Sequence, residues 1–255
     1  MNGHARQQAY DRGHTIFSPD GRLYQVEYAR EAVERGAPSV GIRTNDGIVL
    51  AARKRVRSPL LEADSIDKIH VVDDHLAIAS AGHAADAHRL VEEARLASQR
   101  HRLRYDEPIP VEALADAIAR HVQEHTHAGG SRPYGAALLV AGMDAAPATS
   151  SSAGPTPRVY EVDPSGTRYG WHGVAIGDGS TACQDDLQSV LGGITSTGED
   201  GLTLTVEDGI GVAFDALEAA SDDPLIPDTV ECAIWSVAGE GPDILSSERL
   251  AVHLE

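Results

Sequence analysis

Three features of the sequence predict an α+β fold of two stacked antiparallel sheets with a helical layer outside each. Short alternating runs read as strand hairpins, helical repeats follow them in pairs, and this strands-then-two-helices order occurs twice along the 255 residues. SVGIR and GIVLAARKR flank the turn TNDG, and KIHVV and HLAIAS flank a DD turn, giving two hairpins. Ala87, Leu90, Val91 and Ala94 then recur at helical spacing, and Val111, Leu114, Ala115 and Ile118 repeat it behind an N-terminal Pro110. GAALLVAGM, RVYEVDP, TRYGWH and GVAIG form the second strand set. Between its first two members AAPATSSSAGPTP is too polar and too rich in Pro and small residues for a strand, and reads as a lengthened hairpin loop on the surface. TACQDDLQSVLGG opens the second helical pair. Thr205 and Asp208 form a capping box for its partner, ahead of Val206, Ile210, Ala213, Phe214 and Leu217. DTVECAIWSVAG adds a strand and SSERLAVHL a closing helix, and no composition shift marks a domain boundary.

Charge narrows the function. Thirty-nine acidic residues against 21 basic ones leave a formal charge of −18, which repels nucleic acid and anionic membranes. Lysine occurs only at Lys54 and Lys68, the remaining 19 of the 21 basic residues being arginine. Scarce lysine with abundant carboxylates fits an acidic surface that stays hydrated in high salt. A GC-rich codon bias would also favour Arg and Ala, but not so many carboxylates. No run approaches the roughly 20 apolar residues of a membrane span, and MNGHARQQAY lacks the apolar stretch of a secretory leader. A soluble, cytoplasmic protein is expected. Cys183 and Cys232 have no metal or redox spacing and read as buried, reduced thiols.

Residues 9 to 36, AYDRGHTIFSPDGRLYQVEYAREAVERG, concentrate Tyr10, Phe17, Tyr24 and Tyr28 from a chain with only 7 Tyr and 2 Phe. Within it Pro19, Asp20 and Gly21 read as a turn that launches a helix, with Ser18 as N-cap, Pro19 tolerated in the first turn and Asp20 complementing the positive helix end. This stretch closely resembles the N-terminus of α-type subunits of the archaeal 20S proteasome. GIRTNDGIVLAARKR, SIDKIHVVDDH, AGHAADAHRLVEEAR, GGSRPYGAALLVAG, YEVDPSG and VAIGDG resemble family segments in the same order, so the likeness covers nearly the whole chain. It implies a four-layer αββα sandwich of the N-terminal-nucleophile hydrolase type in its non-catalytic form, with residues 1–17 as a gate segment and 18–255 as one domain. It also implies homo- or hetero-heptameric α rings that cap rings of β-type subunits, admit unfolded substrates and receive the C-terminal tails of regulatory AAA+ ATPases. No cofactor and no metal are expected.

The resemblance assigns sites residue by residue. Tyr10, Asp11, Pro19 and Tyr28 match the cluster that braces the open gate, and the helix behind SPDG is placed on the outer face of the ring. Lys68, in SIDKI, matches the lysine of the inter-subunit pockets that receive activator tails, where an ammonium can pair with a chain-terminal carboxylate. Gly82 lines the same pocket, with His83 where many relatives carry Leu. Gly129, Gly130, Ser131 and Arg132 belong to the loop that forms the axial annulus. Ala128 takes the place of a frequent Tyr and Ser131 that of a frequent Val, implying a wider or more polar constriction. With the insertion at 145 to 157, these departures point to a diverged α paralogue.

Two alternatives carry other chemistry: an autonomous hydrolase of the same fold, and a zinc peptidase. HVQEH, from His121 to His125, fits the H-x-x-E-H pattern and puts two imidazoles on one helix face, with His127 nearby, but no third ligand is evident. Related β-type subunits cleave peptides with an N-terminal threonine whose own amine is the base. The corresponding position here is Ala37, preceded by 36 residues, and Arg53 stands where the catalytic type carries an acid. The run Ser150, Ser151, Ser152 lies in the loop and has no fixed base.

Overall fold

The computed structural model describes residues 17–127, 131–146, 154–195, 204–237, 239 and 241–254. Strands β1 (Ser39–Arg43) and β2 (Gly47–Arg53) form the first hairpin, closed where Thr44 N donates to Gly47 O at 2.9 Å and the Thr44 hydroxyl donates to Asp46 at 3.1 Å. β3 (Ile69–Asp73) and β4 (Leu76–Gly82) form the second. Then come β5 (Ala136–Asp144), β6 (Thr156–Val162), β7 (Arg168–Gly170), β8 (Gly173–Ile176), β9 (Val230–Ser236) and β10 (Asp243–Ile244). All pairings are antiparallel, in two five-stranded sheets of order β10-β9-β2-β1-β8 and β3-β4-β5-β6-β7.

Sequence order therefore does not map onto sheets. The β3–β4 hairpin crosses to the second sheet, and β8 returns to the first, with Ile176 opposite Ser39. Asp144 and Thr156 pair directly, so the polar stretch between them does join two hairpin strands. Residues 147–153, including Ser150, Ser151 and Ser152, lie outside the described residues.

The helices are α1 (Tyr24–Glu34), α2 (Ala84–Tyr105), α3 (Val111–His127), α4 (Ser180–Thr195), α5 (Val206–Ala219) and α6 (Ser247–His253). The apolar stripes of α2 and α3, among them Leu90, Val91, Leu114 and Ile118, pack on Leu76, Ile78, Leu138 and Val140 of the second sheet. Leu187 of α4, Ile210, Ala213 and Phe214 of α5, and Leu250 of α6 cover Val40, Ile42 and Val49 of the first. Cys183 and Cys232 are free, buried members of that outer core. Between the sheets lies a third layer of contacts rich in small residues: Ala52, Ala77, Ala79, Ala81, Ala137, Ala141 and Ala233 alternate with Ile48, Leu50 and Leu139. The result is the expected four-layer αββα sandwich. The Thr205 capping box is present, Asp208 N donating to Thr205 Oγ1 at 3.2 Å and Thr205 N to the Asp208 carboxylate at 3.4 Å.

The turn expected at Pro19–Gly21 is present, but Ser18 does not cap the helix that follows it. Gly21 adopts φ +74°, which no helical residue holds, and Ser18–Arg22 closes a turn of its own through Gly21 N to Ser18 O at 2.8 Å and Arg22 N to Ser18 Oγ at 3.1 Å. Helix α1 begins only at Tyr24, after Leu23, so Ser18 caps the turn and Asp20 lies ahead of the helix rather than in its first turn. At its other end Val33 enters the layer between the sheets, anchoring α1 at the end of the sandwich where β4 finishes. No helix among the described residues is long and apolar enough to cross a membrane.

Candidate functional site

Lys68 precedes β3 and is half-buried, with its ammonium turned inward: Nζ donates to Ala37 O at 2.9 Å. Its backbone N–H donates to the Glu231 carboxylate at 2.9 Å, and Ile69 N reaches the same oxygen at 3.4 Å. Glu231, on β9, thus binds the chain at Lys68 from the neighbouring sheet. Burial lowers the Lys68 ammonium to about 8, with the Glu231 charge opposing and the Arg55 charge adding to the shift. Of the three N–H donors of the ammonium, one goes to Ala37 O.

Gly82 reaches the same end of the sandwich through backbone contact. A Cβ on Gly36 would sit 2.1 Å from Gly82 N, so these two residues touch main chain to main chain, one residue before Ala37. Gly82 itself holds φ +105°, and a Cβ there would lie 2.3 Å from Gly135 O. Lys68, Ala37, Gly36, Gly82 and Gly135 therefore form one contiguous stack.

His83 and Arg132 meet on a residue that no sequence motif singles out. Asp86, in the first turn of α2, accepts from Arg132 at 2.5 and 2.8 Å and from Gly135 N at 2.8 Å, with His83 Nδ1 at 3.5 Å. His83 N also donates to Gly135 O at 2.8 Å. Burial opposes the Asp86 charge, but the Arg132 and Gly135 hydrogen bonds and the Arg132 and His83 charges outweigh it, holding the carboxyl below its ordinary range. The residues assigned to the tail pocket and to the annulus loop are thus joined through one carboxylate. A depressed folded-state pKa means stability that is present above the unfolded value near 4 and lost as pH falls below it. Asp86→Asn should cost about 1–3 kcal/mol at pH 7 in urea denaturation and flatten the acid limb of the stability profile. An unchanged acid limb would show that Asp86 is not the group titrating there.

The position matching the threonine nucleophile carries no catalytic apparatus. Ala37 has no hydroxyl, its carbonyl is taken by Lys68, and the chain continues upstream through Gly36 into α1. Beside it a cleft of about 410 Å³ is lined by Arg53, Arg55, Asp178 and Asp223. Arg53 donates to Asp223 O at 2.7 Å and Arg55 pairs with Asp178 at 2.9 Å, so these side chains brace loops. His121 and His125 do share a face of α3, but they flank Tyr134: His121 Nε2 lies 3.1 Å from its hydroxyl, and the His125 ring stacks on it at 4.3 Å. Glu124 is exposed, and among the described residues no three ligating side chains form a metal-holding group.

Of the residues expected at the gate, Pro19 sits exposed in the Ser18–Arg22 turn, and Tyr28 is 45% exposed on α1. Ser131 is half-buried beside Arg132. Tyr10, Asp11, Gly129 and Gly130, with Ala128, lie outside the described residues. Asp86, Glu231, Arg55 and Asp178 are given no role by the sequence, although Asp86, Arg55 and Asp178 lie within segments that carry the resemblance. Only Asp86 leaves a signal there, as an acid in the first turn of a helix.

Comparison with known proteins adds to this geometry. A family model described as "Proteasome subunit" matches residues 33–235, and a second, the N-terminal signature of A-type proteasome subunits, matches 10–32. The chain is 50% identical to the proteasome alpha subunit of Natronomonas pharaonis over 256 aligned positions, covering 100% of this chain and 93% of the relative. It is 49% identical to the alpha 1 proteasome subunit of Haloferax volcanii, covering 100% and 94%, and 50% identical to the alpha 2 proteasome subunit of Haloarcula marismortui, covering 98% and 95%.

Proposed function

The chain belongs to the proteasome α-subunit family, and on that premise we propose that it is the gating and docking subunit of a cytoplasmic 20S core particle. It is of the non-catalytic type, and peptide cleavage resides in the β-type subunits with which it assembles. The observation that carries this reading is Ala37: an interior residue without hydroxyl or free amine, its carbonyl bonded to Lys68. Seven-membered α rings cap the β-type rings, residues 1–17 close the axial entrance to unfolded chains, and Tyr10, Asp11, Pro19 and Tyr28 brace the open position. Regulatory AAA+ ATPases dock by placing C-terminal tail carboxylates against Lys68, beside Gly82 and His83. Gly129, Gly130, Ser131 and Arg132 line the axial annulus, where the Asp86 contact fixes Arg132.

Purified alone in high salt, the chain should form assemblies of ring size and hydrolyse no fluorogenic peptide. Mixed with a β-type subunit, it should yield a larger particle that does. Hydrolysis by the pure, metal-free chain would defeat the reading, as would zinc-dependent activity removed by His121→Ala.

A further inference from the structure

The link between α1 and β1 is held at four successive carbonyl oxygens. Arg55 Nη1 donates to Arg35 O at 3.1 Å, Asp178 N to Gly36 O at 2.7 Å, Lys68 Nζ to Ala37 O at 2.9 Å, and Arg53 N to Pro38 O at 2.9 Å. Two of these holds are joined to each other: Asp178, in the turn between β8 and α4, also accepts from Arg55 Nη2 at 2.9 Å. Gly177 brings that turn onto the link. It holds φ +101°, and a Cβ there would lie 2.9 Å from both the Gly36 and the Ala37 oxygens.

The holds differ in kind. Those on Gly36 and Pro38 come from main-chain N–H groups, whereas those on Arg35 and Ala37 come from cationic side chains. Arg35 O lies at the C-terminal end of α1, where a carbonyl has no partner within the helix and a cation also meets the negative end of the helix dipole. A planar guanidinium fork reaches two acceptors at once, and Arg55 uses it to tie the end of α1 to the turn that holds Gly36. An ammonium is a single point charge and does not reproduce that fork.

We propose that Arg55 is a positioning residue for gate opening: by tying Arg35 O to the Asp178 turn, it makes the end of α1 follow the Ala37 carbonyl that Lys68 holds. The inference rests on the proposed docking of a tail carboxylate at Lys68. A carboxylate is a stronger acceptor for an ammonium than a carbonyl is, so its arrival changes the pull of Lys68 on Ala37 O. That change reaches α1 only if the link does not yield at Gly36 and Arg35, and Arg55 and Asp178 are the groups that stiffen it there. The gate segment leads into α1 through the Ser18–Arg22 turn, so a displaced α1 displaces the gate.

The Arg55 and Asp178 side chains are 48% and 55% exposed, and an ion pair so wetted adds little to folding stability. Arg55→Lys should therefore fold and assemble. The test uses particles reconstituted with a β-type subunit, and a synthetic peptide carrying the C-terminal tail of the regulatory AAA+ ATPase, as free acid and as amide. Degradation of an unfolded protein is measured against peptide concentration. In Arg55→Lys the half-saturating concentration of the free acid should stay unchanged, while maximal stimulation falls about five-fold or more, the size of a typical coupling between two sites. Asp178→Asn, which keeps the N–H on Gly36 O and loses the ion pair, should show the same split to a smaller extent, and it carries the test should Arg55→Lys fail to assemble. Removing residues 2 to 11 from Arg55→Lys should restore entry without peptide. Full stimulation in Arg55→Lys, a shifted half-saturation with the maximum kept, loss of both together, or no rescue by truncation would overturn the proposal. A free acid that stimulates the unsubstituted particle no better than the amide would overturn the docking reading, and this inference with it.

Discussion

Reconstituted particles carrying Lys68→Ala are expected to lose ATPase-stimulated degradation of an unfolded protein while cleaving small peptides at the unsubstituted rate. On the proposed docking, a tail carboxylate entering the pocket needs a paired cation, and the Lys68 ammonium, with one of its three donors on Ala37 O, is the group that would supply it. Leaving that carboxylate unpaired costs about 1–3 kcal/mol per site, roughly five- to a hundred-fold in affinity, repeated around the ring. Lys68→Met, which keeps the stem and removes the charge, should behave the same way, and Lys68→Arg should retain part of the stimulation. Because burial brings the ammonium down to about 8, its charge is present below that pH and lost above it. Stimulation should therefore fade as pH rises through about 8, before peptide cleavage does. Removing residues 2 to 11 from the Lys68→Ala chain should restore entry of the unfolded protein without any activator. Undiminished stimulation in Lys68→Ala, or no rescue by truncation, would separate docking from gating in a way this assignment does not allow.

The second large effect is on folding. Gly82→Ala should destabilise the chain by about 3 kcal/mol or more, because two costs add. At φ +105° an alanine is strained by about 1–3 kcal/mol, and its Cβ would lie 2.3 Å from Gly135 O and 3.1 Å from Ala136 Cα, both backbone atoms that cannot turn away. The shift has to propagate, since Gly36 already rests on Gly82 from the other side. Urea denaturation of the isolated chain measures it. A loss below about 1 kcal/mol would mean that the α1–β4–β5 junction is soft, and that the stack linking Lys68 to Gly135 is not rigid.

The parts of the fold legible in the sequence are those written in local chemistry. Leu90 and Val91 in α2, and Leu114 and Ile118 in α3, are buried on the faces their spacing foretells, and Thr205 caps α5 through Asp208 as its pattern requires. What is not legible depends on partners far along the chain. Nothing within GVAIG says that β8 pairs with β1 and not with β7, because that choice is made by the edge each strand finds free. The two-residue β10 is too short to carry a period at all. Ser18 misleads for a local reason: S-P-D-G suits both a helix cap and a closed turn, and Gly21 at positive φ selects the turn. In the candidate site, Lys68, Gly82, His83 and Arg132 are recognisable through their resemblance to family positions. That resemblance does not reveal that the Lys68 ammonium points to Ala37, nor that Glu231 and Asp86 hold these residues in place, since these contacts join segments remote in sequence.

The alanines between the two sheets set a limit on how this chain can diverge. Side chains with no rotamers lose almost no entropy on ordering, so the layer is cheap to assemble. A layer built from methyl groups also has no slack: one added carbon at Ala79 or Ala137, both essentially sealed from solvent, has to push the sheets apart. The outer faces can exchange residues and gather charge without touching that spacing. Substitutions in this layer should therefore cost stability where substitutions on the exposed surface do not.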